Sequence, residues 1–442
     1  MNQNSKIFFW SLSAALGGFL FGFDTAVISG VEQTLQKLWH LNVFEHGITV
    51  SIALIGTVIG SLVGGIPAEK YGRRITLLMV AVLYLLSSIG TAYAVDWTTF
   101  LIFRLLGGLG VGVSSVVAPM YISEIAPPEK RGRLVAMFQF NIVFGILMAY
   151  LSNYLLGNLG DNSWRWMLGV QAFPSIIFVI VCLIIPESPR WLILKKGNIP
   201  AARDILKIID PASTEQVITA IQNQKDKTTT KNNTFALFQD IYKRPVMLAV
   251  LFAVFNQLSG INAIIYYAPR IFEMAGLGKS TALLSSAGIG LVNLFATLMG
   301  VSLIDKFGRK PLMYIGSVGY IISLSLIALS FYQNSFSGMS FFIFLFIASH
   351  AIGQGSVIWV FISEIFPSEV RASGQALGSF THWILAAIIA FTFPFIAETF
   401  GGGLTFTFFA AMMVLQLLFV WKIMPETKGT TLEKMDNIVF GH

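Results

Sequence analysis

Runs of about twenty or more apolar residues recur along the chain, and nearly all of the charges collect in the polar stretches between them. A helix rising ~1.5 Å per residue needs about 20 such residues to cross the ~30 Å hydrocarbon core of a bilayer. Twelve runs qualify, over residues 7–31, 47–68, 74–94, 98–122, 132–157, 165–185, 245–273, 281–304, 311–332, 339–365, 372–397 and 403–424. The pattern predicts an all-α membrane protein with twelve transmembrane helices. One polar interruption is long, residues 187–244, with helical periodicity over 201–209 and 213–224 and then the tract KDKTTTKNNT at 225–234. The first run follows Lys6, has spanning length and lacks a small-residue cleavage pattern, so it is expected to stay as a signal-anchor helix.

The placement of positive charge orients the chain. Of 29 Lys and Arg, all but Lys37, Arg104, Arg165, Arg270 and Lys279 lie at the two ends or in connections that follow even-numbered spans. Cytoplasmic loops carry such an excess, so both termini and the 187–244 interruption are expected in the cytoplasm. There the Asn232 glycosylation sequon would go unused, and no other is found on the outer loops, which points to a bacterial inner membrane.

Composition agrees, with 55% hydrophobic and 12% charged residues, against ~25% charged in soluble domains. The formal charge of +7 is scattered between spans rather than gathered on one face, so no nucleic-acid partner is expected. Cys182, the single cysteine, lies inside an apolar run and supports neither a disulfide nor a thiolate metal site. With no cofactor motif, nucleophile elbow or metal-ligand cluster, the chain is expected to be no enzyme and to hold no metal or cofactor.

The two halves repeat each other. EKYGRR at 69–74 returns as DKFGRK at 305–310, YISEIAPPEKRG at 121–132 as FISEIFPSEVRASG at 361–374, and PESPR at 186–190 as PETKG at 425–429, at spacings of 236, 240 and 239 residues. A single period predicts two pseudo-symmetric six-helix bundles, 1–186 and 245–425, joined by a cytoplasmic helical linker at 187–244 and followed by a tail at 426–442.

Two charges stand out for their depth within apolar runs. Asp24 lies in GGFLFGFDTAVISG at 17–30, and Arg104 is the one basic residue well within a span. An ionisable group near the bilayer centre costs on the order of 2.5–3.5 kcal/mol on insertion scales, and such residues mark ion or proton pathways. Arg104 stands twenty residues before Glu124 at the cytoplasmic end of its span. That is ~30 Å of helix, close to the depth expected of Asp24. The plainer reading of Asp24 is a structural partner at a helix break.

The paired EKYGRR and DKFGRK loops, the repeated E-x-x-P-x-x-x-R, PESPR and QLSGIN at 257–262 together resemble the sugar porter family of the major facilitator superfamily, over essentially the whole chain. That family includes bacterial xylose and glucose proton symporters and mammalian glucose facilitators. The resemblance implies the major facilitator fold and a small neutral sugar as cargo. It makes Asp24 and Arg104 the proton-coupling pair, since the family's symporters carry aspartate at this position and its facilitators asparagine. Gln139, Gln257, Asn262, Asn293 and Trp359 match family sugar contacts, Phe21 and Trp383 cavity-wall aromatics, and Tyr266 and Tyr267 the outer gate.

Asn256 stands where many members have glutamine and His382 where they have an amide, while Ile146 matches the mammalian facilitators rather than bacterial pentose porters. His382 is read either as a second titrating group or, more simply, as a neutral imidazole replacing an amide. The resemblance also makes a cytoplasmic ion-pair latch of Glu69, Arg73, Arg74, Glu124, Arg131, Glu187 and Arg190 in the first half with Asp305, Arg309, Glu364, Arg371 and Glu426 in the second. The expectation is a monomeric proton-coupled hexose or pentose symporter working by alternating access in a lipid bilayer, with the proton as coupling ion. The rivals are an uncoupled facilitator and a transport-dead sugar sensor.

Overall fold

The computed structural model describes residues 3–227, 237, 239–367 and 370–428. The Asn232 sequon, most of the 225–234 tract and the tail beyond residue 428 lie outside the described residues. Among those described, all regular structure is helical. Eleven stretches are long and apolar enough to cross a membrane. The last, Ser373–Lys422, holds 50 residues, about twice what one crossing needs, and it is divided at Gly401, where φ is 72°. It therefore supplies two spans, and the total is twelve. The second span, Val43–Val63, starts and stops about a turn earlier than expected, and a separate helix, Gly65–Tyr71, covers the remainder.

Local chemistry fixes several boundaries. Asp96 begins the fourth span, Trp97–Ile125, by accepting the Thr99 backbone N–H at 2.8 Å and the Thr99 hydroxyl at 2.8 Å, the role of a capping side chain. In the polar interruption, Asn198 caps Ile199–Ile209 by accepting from the Ala201 N–H at 3.1 Å, and Thr214–Lys227 follows. The Arg203 guanidinium ties these two helices through Glu215 at 2.6 Å.

By packing, the chain divides into two units. The first comprises Met1–Thr25, Ile55–Ala149 and Asn162–Asn233; the second, Ala26–Leu54, Tyr150–Asp161 and Thr234–His442. In the first, Arg73–Ala92 packs on Trp97–Ile125 and on Ala172–Ile184. In the second, Arg309–Gln333 packs on Met339–Ile352 and on the long final helical run. An apolar cluster that includes Leu248, Phe252, Leu312, Phe361 and Phe419 fills its middle, with the Phe252 and Phe361 rings 5.2 Å apart. Large side chains such as Phe295 and Trp421 point outward and stay exposed. On a span, lipid is as good a neighbour for them as protein, so close packing rather than burial from water holds such helices together.

Candidate functional site

Asp24 lies near the end of the first helix, Gln3–Val27, and Arg104 two turns into Trp97–Ile125. Arg104 Nη1 donates to Asp24 Oδ1 at 3.0 Å and Nη2 to the Asp24 carbonyl at 3.4 Å. Their side chains are 2% and 1% exposed. A Cβ on Gly107, one turn along from Arg104, would strike Ser87 Oγ at 2.4 Å and stand 3.3 Å from Asp24 Oδ1. Tyr84 and Gln171, also buried, sit beside the carboxylate. Tyr84 Oη, Gln171 Nε2 and Arg104 Nε have no hydrogen-bond partner among the described residues. A buried ion pair stripped of one charge loses about 3–5 kcal/mol. Protonating Asp24 would remove the charge that Arg104 is held by, so the pair can couple proton binding to movement of the two helices that carry it.

A second polar group belongs to the second unit and is built by a helix break. Lys243–Leu258 ends, Gly260 takes φ 83° and ψ 13°, and Ile261–Met274 begins. An L-residue strains in that left-handed region, and a Cβ on Gly260 would come within 2.6 Å of the Phe409 ring. The break turns the amides on either side toward one another. Gln257 Nε2 donates to Asn256 Oδ1 at 3.0 Å, and Asn262 Nδ2 donates to Gln257 Oε1 at 2.6 Å. Gln257 Nε2 also meets a ring nitrogen of His382 at 3.1 Å. The other ring nitrogen of His382 is at 3.2 Å from the same amide nitrogen, so the imidazole lies against the amide group where many family members have an amide.

The rings of Trp359 and Trp383 flank His382 at 5.0 and 4.7 Å, the second edge-on. Trp359 is 37% exposed, while Asn256, Gln257 and Asn262 are buried. Amides beside an indole are the chemistry that suits a neutral polyol with an apolar ring face. Asn293 is buried apart from these bonds and accepts from Thr297 at 3.4 Å. Gln139, half-buried on Arg131–Leu156, and Phe21, 8% exposed, belong to the first unit.

Tyr266 and Tyr267 are buried just beyond the break, and Tyr267 itself is non-helical at φ −121° and ψ 20°. Pro269 explains part of this distortion. It has no N–H to return to the carbonyl of Ile265, and the Tyr150 hydroxyl takes that carbonyl instead, at 2.7 Å. The Tyr267 hydroxyl donates to the Ala390 carbonyl at 2.7 Å.

The motif charges assemble inside each unit, and the repeat shows in the bonding. Arg73 forks onto Glu124 with two bonds of 3.0 Å. Arg309 does the same to Glu364 at 3.0 and 2.6 Å. Glu187 accepts the backbone N–H of Arg73 at 2.9 Å and of Arg74 at 3.2 Å, and Glu426 those of Arg309 at 2.9 Å and Lys310 at 2.8 Å. Each carboxylate thus sits on the first free N–H groups of a helix, where a negative charge is favoured.

Gly72 and Gly308, at φ 99° and 97°, precede these helices, and a Cβ on either would strike the carboxylate at 2.2 and 2.8 Å. Burial raises the Glu187 carboxyl despite its N–H donors. For Glu426 the burial penalty is outweighed by the donors from Arg309, Lys428, Lys310 and Thr427, which hold it below the usual carboxylate range. Arg74 donates to the carbonyls of Cys182 and Leu183, and Arg371 Nε to that of Phe366. Glu69 pairs with Lys195 at 3.1 Å and Asp305 with Arg309 at 3.5 Å, while Arg131 and Arg190 are exposed.

One charged cluster has no counterpart among the residues singled out from the sequence. Glu32, entirely buried, accepts Arg270 Nε at 2.9 Å, Arg270 Nη2 at 2.8 Å and His46 Nε2 at 2.8 Å. Burial alone would raise its carboxyl, but the bond from His46 and the Arg270 charge hold it below the usual range. From the sequence, Arg270 is only a basic residue on the outer side and Glu32 draws no reading; nothing local links positions so far apart.

A family model described as "Sugar (and other) transporter" matches residues 10–439. The chain belongs to this family. It is 35% identical to the D-xylose-proton symporter of Escherichia coli (strain K12), over 98% of this chain and 96% of that protein. It is 37% identical to the arabinose-proton symporter of Bacillus subtilis (strain 168), over 97% and 94%. Among solved structures it is similar to the partially occluded inward open conformation of the xylose transporter XylE from E. coli, with a TM-score of 0.85 and 33% identity over 97% of this chain and all of that one. Membership makes the twelve spans those of a major facilitator fold and the chain a multi-pass membrane transporter.

Proposed function

We propose that the chain is a proton-coupled monosaccharide symporter that works by alternating access. The observation that carries this reading is the buried Asp24–Arg104 pair at 3.0 Å, in a chain similar along its whole length to xylose and arabinose proton symporters. Asp24 is the proton carrier and Arg104 the partner that sets its affinity. Neutral sugar is gripped by Gln257, Asn256 and Asn262, with Trp359, His382 and Trp383 against its apolar face and Tyr266 and Tyr267 as the outer gate; Gln139, Phe21 and Asn293 are further contacts. The repeated charge motifs act as the cytoplasmic latch. The setting is a bacterial inner membrane with both termini in the cytoplasm, the working unit is a monomer, and the proton is the only coupling species.

One proton moving inward with a neutral sugar gains ~2.3 kcal/mol per 100 mV, which supports roughly fifty-fold accumulation at ~1.4 kcal/mol per tenfold. In proteoliposomes with an imposed inward proton gradient, labelled D-xylose, L-arabinose or D-glucose is expected to rise above the outside concentration and to fall back when a protonophore is added. Sugar that only equilibrates, with or without the gradient, would make Asp24 a structural residue and the chain a facilitator.

A further inference from the structure

Glu32 lies in the short helix Glu32–Leu38, which joins the first two spans, and His46 in the first turn of Val43–Val63. Arg270 stands near the end of Ile261–Met274, one turn past Tyr266 and Tyr267. All five belong to the second unit, together with Gln36, whose Oε1 takes a further bond from Arg270 Nη2 at 2.6 Å. The Glu32 side chain is 0% exposed and that of Arg270 17%. The carboxylate is shut off from solvent, and the guanidinium fork and His46 are its partners among the described residues. A cleft of about 510 Å³, lined by Gln36, Lys37, Glu273 and Glu398 among others, borders Arg270, so the pair is close to a place where its charges can be hydrated.

A forked pair whose carboxylate is fully buried is satisfied in one geometry only. It fastens the connection after the first span to the stretch of the seventh that carries the two gate tyrosines, and separation of its halves exposes both to water. We propose that Glu32 and Arg270, braced by His46 and Gln36, form an ion-pair lock that keeps the Tyr266–Tyr267 stretch closed and must break before sugar enters from the outer side. The proposal rests on the alternating-access reading and adds its outer fastening.

The charge logic gives the lock a signature that a general stabilising role lacks. With one partner neutralised, the other loses its countercharge in the closed state but is more fully hydrated in the open one, so the balance moves toward open. With both neutralised nothing is stranded, and the balance returns. The test places spin labels at Leu38→Cys and Ser280→Cys, both exposed, in the full chain carrying Cys182→Ala. Distances are read in lipid with and without excess D-xylose, L-arabinose and D-glucose.

Glu32→Gln and Arg270→Gln should each raise the ratio of the longer to the shorter distance at least tenfold. The double variant should lie within about threefold of the unmutated ratio, the non-additivity expected of a direct pair. Arg270→Lys, which keeps the charge but loses the fork, should give a smaller rise, and it covers the case in which a neutral variant does not fold. If the sugars shift the ratio while neither single variant does, or if the double variant shifts it by the product of the two, the lock is wrong and the carrier reading stands. One distance unmoved by any sugar and any variant overturns both.

Discussion

Gln257 holds the polar cluster together, since its amide is the one that bonds Asn256, Asn262 and His382 at once. A buried site that loses such a partner typically forfeits about 1–3 kcal/mol. Gln257→Ala is therefore expected to weaken sugar binding at least tenfold in calorimetry; unchanged affinity in folded protein removes it from the site. The amide-rich chemistry of this cluster was legible in the sequence, because QLSGIN places two of its amides on either side of a glycine and the resemblance supplied the rest. The contact of Gln257 with the His382 ring was not, because it joins positions 125 residues apart. The Glu32–Arg270 pair was equally hidden: hydropathy marks where a charge is tolerated and says nothing of which distant charge it meets.

At the level of the helix, two glycine-bounded junctions carry most of the consequence. Gly260→Ala puts a Cβ into the left-handed region, at about 1–2 kcal/mol, and drives it against Phe409. Both the melting temperature and sugar affinity should fall, since the break is what turns Gln257 and Asn262 together. The start of Arg309–Gln333 tests the charge side. Because the folded state lowers the Glu426 carboxyl, its contribution is complete above the ordinary value and is lost as pH falls through the lowered one. Glu426→Gln should thus cost about 1 kcal/mol at pH 7, with the gap from the unmutated protein persisting at pH 5 and closing only in stronger acid, as read by denaturation in detergent. The sequence marked Glu187 and Glu426 as charges at a span end but not as caps on other helices. That role needs the Gly72 and Gly308 turns in three dimensions. The divide between the last two spans, expected between residues 397 and 403, falls at Gly401.

For the whole molecule, apolar runs alone located the twelve spans, since each crossing demands a length that few other structures need. The 236- to 240-residue repeat then reappeared in the paired bonding of Arg73–Glu124 and Arg309–Glu364. If the motif charges act as a cytoplasmic latch, Arg131→Ala and Glu364→Ala should raise the share of inward-facing carrier, which a cytoplasm-side thiol reagent would detect as faster labelling of a cysteine placed next to Gln257. Equal labelling rates in folded protein would leave these charges with topological and capping roles only. Coupling itself turns on Asp24. Asparagine keeps its volume and its bond to Arg104 but cannot carry a proton, so Asp24→Asn should keep counterflow exchange of labelled sugar and lose coupling. The most direct measurement is the pH of a lightly buffered suspension of energised-free vesicles on addition of sugar. The unmutated protein should alkalinise the medium as protons enter with sugar, and Asp24→Asn should not; alkalinisation that survives in Asp24→Asn, or none in either, would contradict proton carriage by Asp24.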